Sequence, residues 1–203
     1  MPHITDHPRT AAVIDMRTQL AVDVADHLQN QSWSVDTGND TEIALRADHR
    51  VDPLTAIIYI PALYHDDCGD SSTVLIDICA RAATAFTGVG GAVVVTVSAD
   101  LLGSAGRPRI AATSAALVAT ARSLALRYAS EGITVNVVAV PAAVLRDHAG
   151  VDEDDRPALL PHAVSGGDVA GSIAFFSDPR SRYITGQVFY CCGGSSLLSS
   201  LSV

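Results

Sequence analysis

A chain of 203 residues suits one domain, here taken as 1–203, with enough length for a sizeable core. Hydrophobic residues make up 48% and charged residues 17%, with a mean hydropathy of +0.28, which excludes a disordered polymer. A net charge of −9, with thirteen Lys+Arg scattered along the chain, offers no basic face for nucleic acid. The longest apolar runs, such as Gly91 to Val97, fall far short of the roughly 20 residues that a membrane-spanning helix needs. Met1 to Pro8 carries no basic-then-apolar signal pattern, so a cytoplasmic protein is the expectation.

In chain order, strand-like and helix-like stretches alternate, which predicts βαβ units and a parallel sheet. Ala11 to Asp15 reads as a short strand, and Thr18 to Gln29 as a helix with Leu20, Val24 and Leu28 on one face. Trp33 to Asp36 reads as a second strand. Residues 37–50 are rich in Asp, Asn and Gly and short for a full crossover, so the first half is expected to be trimmed here. Thr55 to Ile60 reads as a buried strand. Ser71 to Thr87 reads as a helix capped by Ser71 or Ser72. Ala92 to Val97 is β-branched almost throughout and is the most strand-like run. A long helix from about Ile110 to Ser130 stops at Gly132, and Ile133 to Val140 is another strand. Ala142 to Ser165 reads as irregular, with Asp152 to Asp155 as a solvated acidic loop. Gly167 to Ser177 is a helix and Gly186 to Cys191 a last strand. The tail, Ser195 to Val203, is left between docking across a subunit boundary and fraying.

The cysteines Cys68, Cys79, Cys191 and Cys192 form no C-x-x-C pattern and read as buried or idle thiols. The seven histidines are dispersed, so no metal site is expected.

Two stretches carry a family resemblance. Ala115 to Ala129 followed by Gly132 to Ala139 resembles the long helix and following strand of the short-chain dehydrogenases/reductases. Asp168-Val169-Ala170 to Phe176, then Ser181 to Val188 and Gly193-Gly194, is similar to that family's C-terminal signature. The resemblance implies a Rossmann-like, doubly wound parallel sheet in a three-layer αβα arrangement. It also implies oligomers, a dimer or tetramer, joined through the long helices and the last strand. The residues expected there are Ala112, Ala116, Ala119, Phe189 and Tyr190.

The family's chemistry needs a glycine-rich turn after the first strand, where backbone N–H groups and a helix N-terminus approach a pyrophosphate. Here that turn reads Val13-Ile14-Asp15-Met16-Arg17-Thr18, without glycine, and Asp15 would oppose phosphate charge. The family also needs Tyr-x-x-x-Lys on the long helix, one turn apart, so that the lysine tunes the tyrosine for proton transfer. The matching positions, counted back from Arg122-Ser123-Leu124, are Ile110 and Ser114. Isoleucine has no proton to transfer and serine no charge. The family's helper serine matches Ser98, read either as a remnant of the site or as a strand-end serine capping a turn. The family's Asn-Asn-Ala-Gly after its fourth strand stands here as Tyr59-Ile60-Pro61-Ala62, and its Pro-Gly after the sixth as Val140-Pro141.

The resulting expectation is a catalytically inactive subunit that binds no NAD or NADP. It would assemble with, and support, an active SDR-family dehydrogenase/reductase; whether its SDR-fold partner is such a homologous active chain or a copy of itself stays open. One alternative is an atypical NAD- or NADP-dependent oxidoreductase with displaced catalytic groups. Another is a module that binds a small ligand in the remnant cleft formed by Asp15, Tyr64, His65, Ser98 and Asp100.

Overall fold

The computed structural model describes residues 9–14, 17–38, 54–64, 70–86, 90–146, 155 and 157–198. Within them, six parallel strands form one sheet in the order β2-β1-β3-β4-β5-β6. The strands are β1 (Thr10–Ile14), β2 (Ser34–Gly38), β3 (Ala56–Tyr59), β4 (Gly91–Ser98), β5 (Ile133–Val140) and β6 (Val188–Tyr190). From β1 the chain steps outward to β2, then returns to the other side of β1 and builds towards β6. The order therefore reverses between β1 and β3, where open α/β sheets part at their carboxyl edge.

Every residue of β1, β3, β4 and β5 is buried. That burial on both faces explains why these strands read as mainly apolar runs instead of alternating ones. The helices are α1 (Gln19–Asn30), α2 (Ser71–Ala85), α3 (Pro108–Tyr128), the single turn α4 (Ala142–Leu145) and α5 (Gly166–Ser177). Helix α1 packs against α5 on one face, and α2 against α3 on the other. The three-layer architecture expected from the resemblance is thus present.

Several boundaries differ from the sequence reading for identifiable reasons. Helix α2 is capped by Asp70, whose carboxylate accepts from the N–H groups of Ser72 and Thr73, and not by a serine. Helix α3 starts at Pro108, because proline's missing N–H costs nothing in a first turn. It ends at Tyr128, the last residues before Gly132 tightening into a 3-10 turn that the left-handed Gly132 closes. Gly90 has no room for a side chain: a Cβ there would lie 2.1 Å from the Gly132 carbonyl oxygen.

The final strand is shorter than Gly186 to Cys191. Regular pairing covers only Val188–Tyr190, although Gly186 and Cys191 still donate to Val135 and Ala139 of β5. Asn136, a buried polar side chain of β5, holds the approach. Its amide donates to the Ile184 carbonyl at 2.7 Å and accepts from the Gln187 N–H at 3.1 Å. The start of the segment 142–165 is the helical turn α4, not irregular chain. The trimmed crossover expected at 37–50 lies, from residue 39 on, outside the described residues. No helix among the described residues is long and apolar enough to cross a membrane.

Candidate functional site

The carboxyl ends of β3 and β4 and the start of α3 converge on one polar group. After β3, Ile60 to Leu63 turn the chain so that Tyr64 lies beside the end of β4. Strand β4 ends at Ser98, which is fully buried. Its Oγ accepts from the Asp100 N–H at 3.2 Å and so caps the 3-10 turn Ala99–Leu102. The Tyr64 hydroxyl donates to Asp100 Oδ2 at 2.8 Å and lies 2.9 Å from Ser98 Oγ. Because the single phenolic proton is directed at the carboxylate, the Ser98 hydroxyl is the donor to Tyr64. The three residues close a ring: Asp100 N–H to Ser98, Ser98 O–H to Tyr64, Tyr64 O–H back to the Asp100 carboxylate.

Arg107, just before α3, grips the same carboxylate with both arms of its guanidinium, Nε to Oδ2 at 2.8 Å and Nη2 to Oδ1 at 3.1 Å. Such a forked, charge-assisted pair is the strong form of this contact. Nη2 of Arg107 also lies 3.3 Å from Asp155 Oδ1, and Arg146 pairs with the other oxygen of Asp155. Two cations and two anions thus balance within a small, poorly solvated volume, the four side chains being 10% to 17% exposed.

These surroundings set the charge states. Burial pushes the Tyr64 phenol well above its ordinary range, so it stays protonated. Burial opposes the charge on Asp100, but hydrogen bonds from Arg107 and Tyr64 and the guanidinium charge outweigh it and hold the carboxyl below its usual value. Hydrogen bonding to Asp100 correspondingly raises Arg107.

At the positions of the family's tyrosine and lysine, Ile110 is half-buried against the core and Ser114 is fully buried. Ser114 Oγ accepts from the Ser98 N–H at 3.2 Å and ties the end of β4 to α3. A cavity of about 50 Å³ lies beside the ring, lined by Asp100, Arg107, Pro141, Ala142, Asp155 and Ser195 among others. Small-molecule sites are several-fold larger. At the start of α1, the buried Thr18 accepts from the Ala21 N–H at 3.3 Å and already satisfies an amide that a phosphate would use. A separate groove of about 470 Å³ runs along α5 past Gln31, Phe175 and Arg180.

Of the five residues expected in the cleft, Tyr64, Ser98 and Asp100 are brought together, while Asp15 and His65 lie outside the described residues. Asp155 corrects the reading of an acidic solvated loop: it is an ion-pair partner of two arginines. Residues 152–154 lie outside the described residues. Arg107 was not foreseen. A second overlooked signal is plain in the composition: all thirteen Lys+Arg are arginines, so no lysine stands anywhere in the chain to serve a tyrosine.

Among the expected interface residues, Ala112, Ala116 and Ala119 are exposed along one stripe of α3, while Ala121 and Ala125 face the chain's own sheet. Leu126, on the exposed side of the same helix, is 83% exposed, and Ile76 of α2 is exposed too. At the sheet edge Phe189 is exposed and Tyr190 half-buried, with Phe175 exposed on α5. Cys79 and Cys192 are buried and Cys191 half-buried; Cys68 lies outside the described residues. No group of His, Cys, Asp or Glu among the described residues is placed to hold a metal ion.

Residues 69–196 match the family model described as enoyl-(acyl carrier protein) reductase. Two relatives from Thauera aromatica are subunits BbsC and BbsD of (2S)-[(R)-hydroxy(phenyl)methyl]succinyl-CoA dehydrogenase, each 34% identical, over 112 and 114 residues. The matches cover 50% and 54% of this chain but only 42% and 46% of those proteins, so the matched stretch spans less than half of their length. Among solved structures, the enoyl-(acyl-carrier-protein) reductase of Anaplasma phagocytophilum in complex with NAD superposes with a TM-score of 0.75 at 15% identity. It covers 94% of this chain and 95% of that one, a likeness of fold. With the family model covering well over half of its length, the chain belongs to the short-chain dehydrogenase/reductase family.

Proposed function

We propose that this chain is a catalytically silent member of its family, a subunit that assembles with an SDR-fold partner and supports that partner's activity instead of transferring hydride itself. The observation that carries this reading is the closed ring of Tyr64, Ser98 and Asp100. Each hydrogen-bonding group that could address a substrate oxygen is turned onto a neighbour, and the Ser98 hydroxyl has no exposed surface.

The residues present do not fit a nicotinamide dinucleotide. The first glycine in the chain is Gly38, well past the turn that should receive the pyrophosphate. Thr18 caps the helix start, Ser114 is a buried strut where a lysine would hold the ribose, and the cavity beside the ring is about 50 Å³. The family is one of NAD(P)-dependent oxidoreductases; this member departs from it at each cofactor-facing element that the described residues contain.

The assembly half of the proposal is supported by the exposed alanine stripe of α3. Small side chains along one exposed line of a helix let a second helix approach closely. That BbsC and BbsD are two subunits of one dehydrogenase fits a role in which an SDR-fold chain works beside another. Phe189, exposed at the sheet edge, and its neighbour Tyr190 belong to the same proposal.

Affinity capture of the full chain from its native host tests the proposal. The expected result is a co-purifying SDR-fold chain that does carry Tyr-x-x-x-Lys. Ala116→Arg, on the exposed stripe, should abolish that association while leaving Tm within a few degrees of the parent, as surface substitutions do. A chain that emerges only alone or with itself contradicts the partner role.

The 2.9 Å contact between Tyr64 and Ser98 favours one other reading, a catalytic tyrosine displaced onto the β3 loop. Against it stand the raised phenol, the donation to Asp100 and the absence of lysine. Carbonyl reduction with NADPH that Tyr64→Phe abolishes would restore it.

A further inference from the structure

We infer that the exposed face of α3 receives a helix from a different chain, one whose facing surface carries carboxylates, and turns away a second copy of itself. The inference rests on the silent-subunit reading above and adds the chemistry of the partner. Along α3 the exposed residues Ala112, Ala116, Ala119, Ser123 and Leu126 follow one line, and Arg109, Arg122 and Arg127 stand exposed around it. The helix itself holds no Asp or Glu; Glu131 follows only in the 3-10 turn past its end. In the neighbouring α2 the one carboxylate, Asp77, is already bound by Arg81 at 2.8 Å. In a chain of net charge −9, this face is a local excess of positive charge.

These arginines do little for the chain itself. Among the described residues neither Arg109 nor Arg122 makes an ion pair. Arg109 sits in the first turn of α3, the end at which the helix dipole favours an anion, and no acidic residue offsets it there. Arg127, in the last turn, has a local contact, its guanidinium 5.4 Å from the Tyr128 ring. From Arg109 to Arg127 the helix makes about five whole turns, so both flank the stripe on the same side. A two-fold contact between copies uses the same patch on both. With antiparallel helices centred near Ala119 it therefore brings Arg109 of one copy to Arg127 of the other. With parallel helices the face again offers each arginine only arginines. Like charges brought together across an interface select against that partner. A helix with small residues opposite the stripe and Asp or Glu opposite the arginines satisfies both conditions, close approach and charge.

The test uses the full chain and, as a probe of defined chemistry, the same chain with Arg109→Glu, Arg122→Glu and Arg127→Glu, which keeps the backbone of the face and reverses its charge. Analytical ultracentrifugation gives dissociation constants for wild type alone, variant alone and the mixture, in about 0.1 M salt, where charges within roughly 10 Å still act on one another. The mixture should bind about tenfold or more tightly than either chain binds itself, and the preference should fade at about 1 M salt, where the screening length is about 3 Å. Association through any other surface is common to all three samples, so the difference reports α3. The variant is the more acidic molecule overall, so non-specific repulsion works against the mixture. Replacing the same three arginines by Gln guards against a poorly folded acidic variant: the neutral face should self-associate more tightly than wild type. A mixture that binds no more tightly than wild type alone, or a Gln variant no more prone to self-association, overturns the inference. The two readings fail separately. A captured SDR-fold partner whose long helix bears no carboxylate beside its small residues sinks only this inference, whereas binding of NADH by the wild type sinks the silent-subunit reading and leaves the charge preference standing.

Discussion

Arg107→Ala is expected to lower the stability of the chain by about 3–5 kcal/mol, the cost of leaving a buried carboxylate without its partner. For a domain of this size that corresponds to a fall in Tm of roughly 10 °C. The effect is large because the guanidinium holds Asp100 by two hydrogen bonds, and Asp100 in turn holds Tyr64 and, through its own N–H, Ser98. Arg107→Lys should recover only part of the loss, since an ammonium cannot reproduce the fork. The pH dependence follows from the same pair. The folded carboxyl of Asp100 lies below its ordinary value, near 3.9 when unfolded. The stability it contributes is therefore fully present above about pH 4 and is lost as pH falls through the folded value. Wild type should lose more stability than Asp100→Asn on acidification below pH 4. Denaturant titrations at stepwise lower pH measure the difference, and equal losses would show that the pair is not a source of acid sensitivity.

Restoring the family's two residues should harm the protein without waking it. In Ile110→Tyr with Ser114→Lys, the tyrosine enters a half-buried position and is tolerated. The lysine replaces a side chain with no exposed surface, whose oxygen accepts from the Ser98 N–H. An ammonium there is a buried charge without a partner, and it also strips that N–H of its acceptor. A loss of more than about 4 kcal/mol is expected, among the largest effects of a single substitution. Hydride transfer with NADH or NADPH should remain at background, because the sequence between β1 and α1 still offers no glycine to a pyrophosphate. Calorimetric unfolding and a coupled absorbance assay check both halves. A stable, active double variant would show that the site is only two residues from function.

What the sequence made legible, and what it did not, divides along physical lines. Strands β4 and β5 were readable because burial on both faces demands an unbroken β-branched run. The stop at Gly132 was readable because a left-handed turn beside another backbone admits little else. Ile110 and Ser114 could be set against the family's Tyr-x-x-x-Lys because one helix carries both positions at fixed spacing. The polar ring was only partly so. Ser98 and Asp100 lie side by side in the chain, but Tyr64 comes from 34 residues away and meets them only when β3 and β4 pair. Arg107 beside a proline reads as an ordinary helix start, and Asp155 at the end of an acidic run reads as solvated. Neither betrays a partner: Arg107 and Asp100 stand seven residues apart across an irregular turn, and Asp155 joins them from a distant loop, so neither pair leaves a periodicity in sequence. The strand-end role of Ser98 is seen directly: its oxygen caps the turn and lies 2.9 Å from the Tyr64 hydroxyl.

A silent subunit of this family requires a fold that no longer receives a nicotinamide dinucleotide. Isothermal titration of the full chain with NAD, NADH, NADP and NADPH in turn measures that directly. No saturable heat is expected from any of them up to millimolar concentration; a tight, stoichiometric isotherm with any one would show that the dinucleotide site survives.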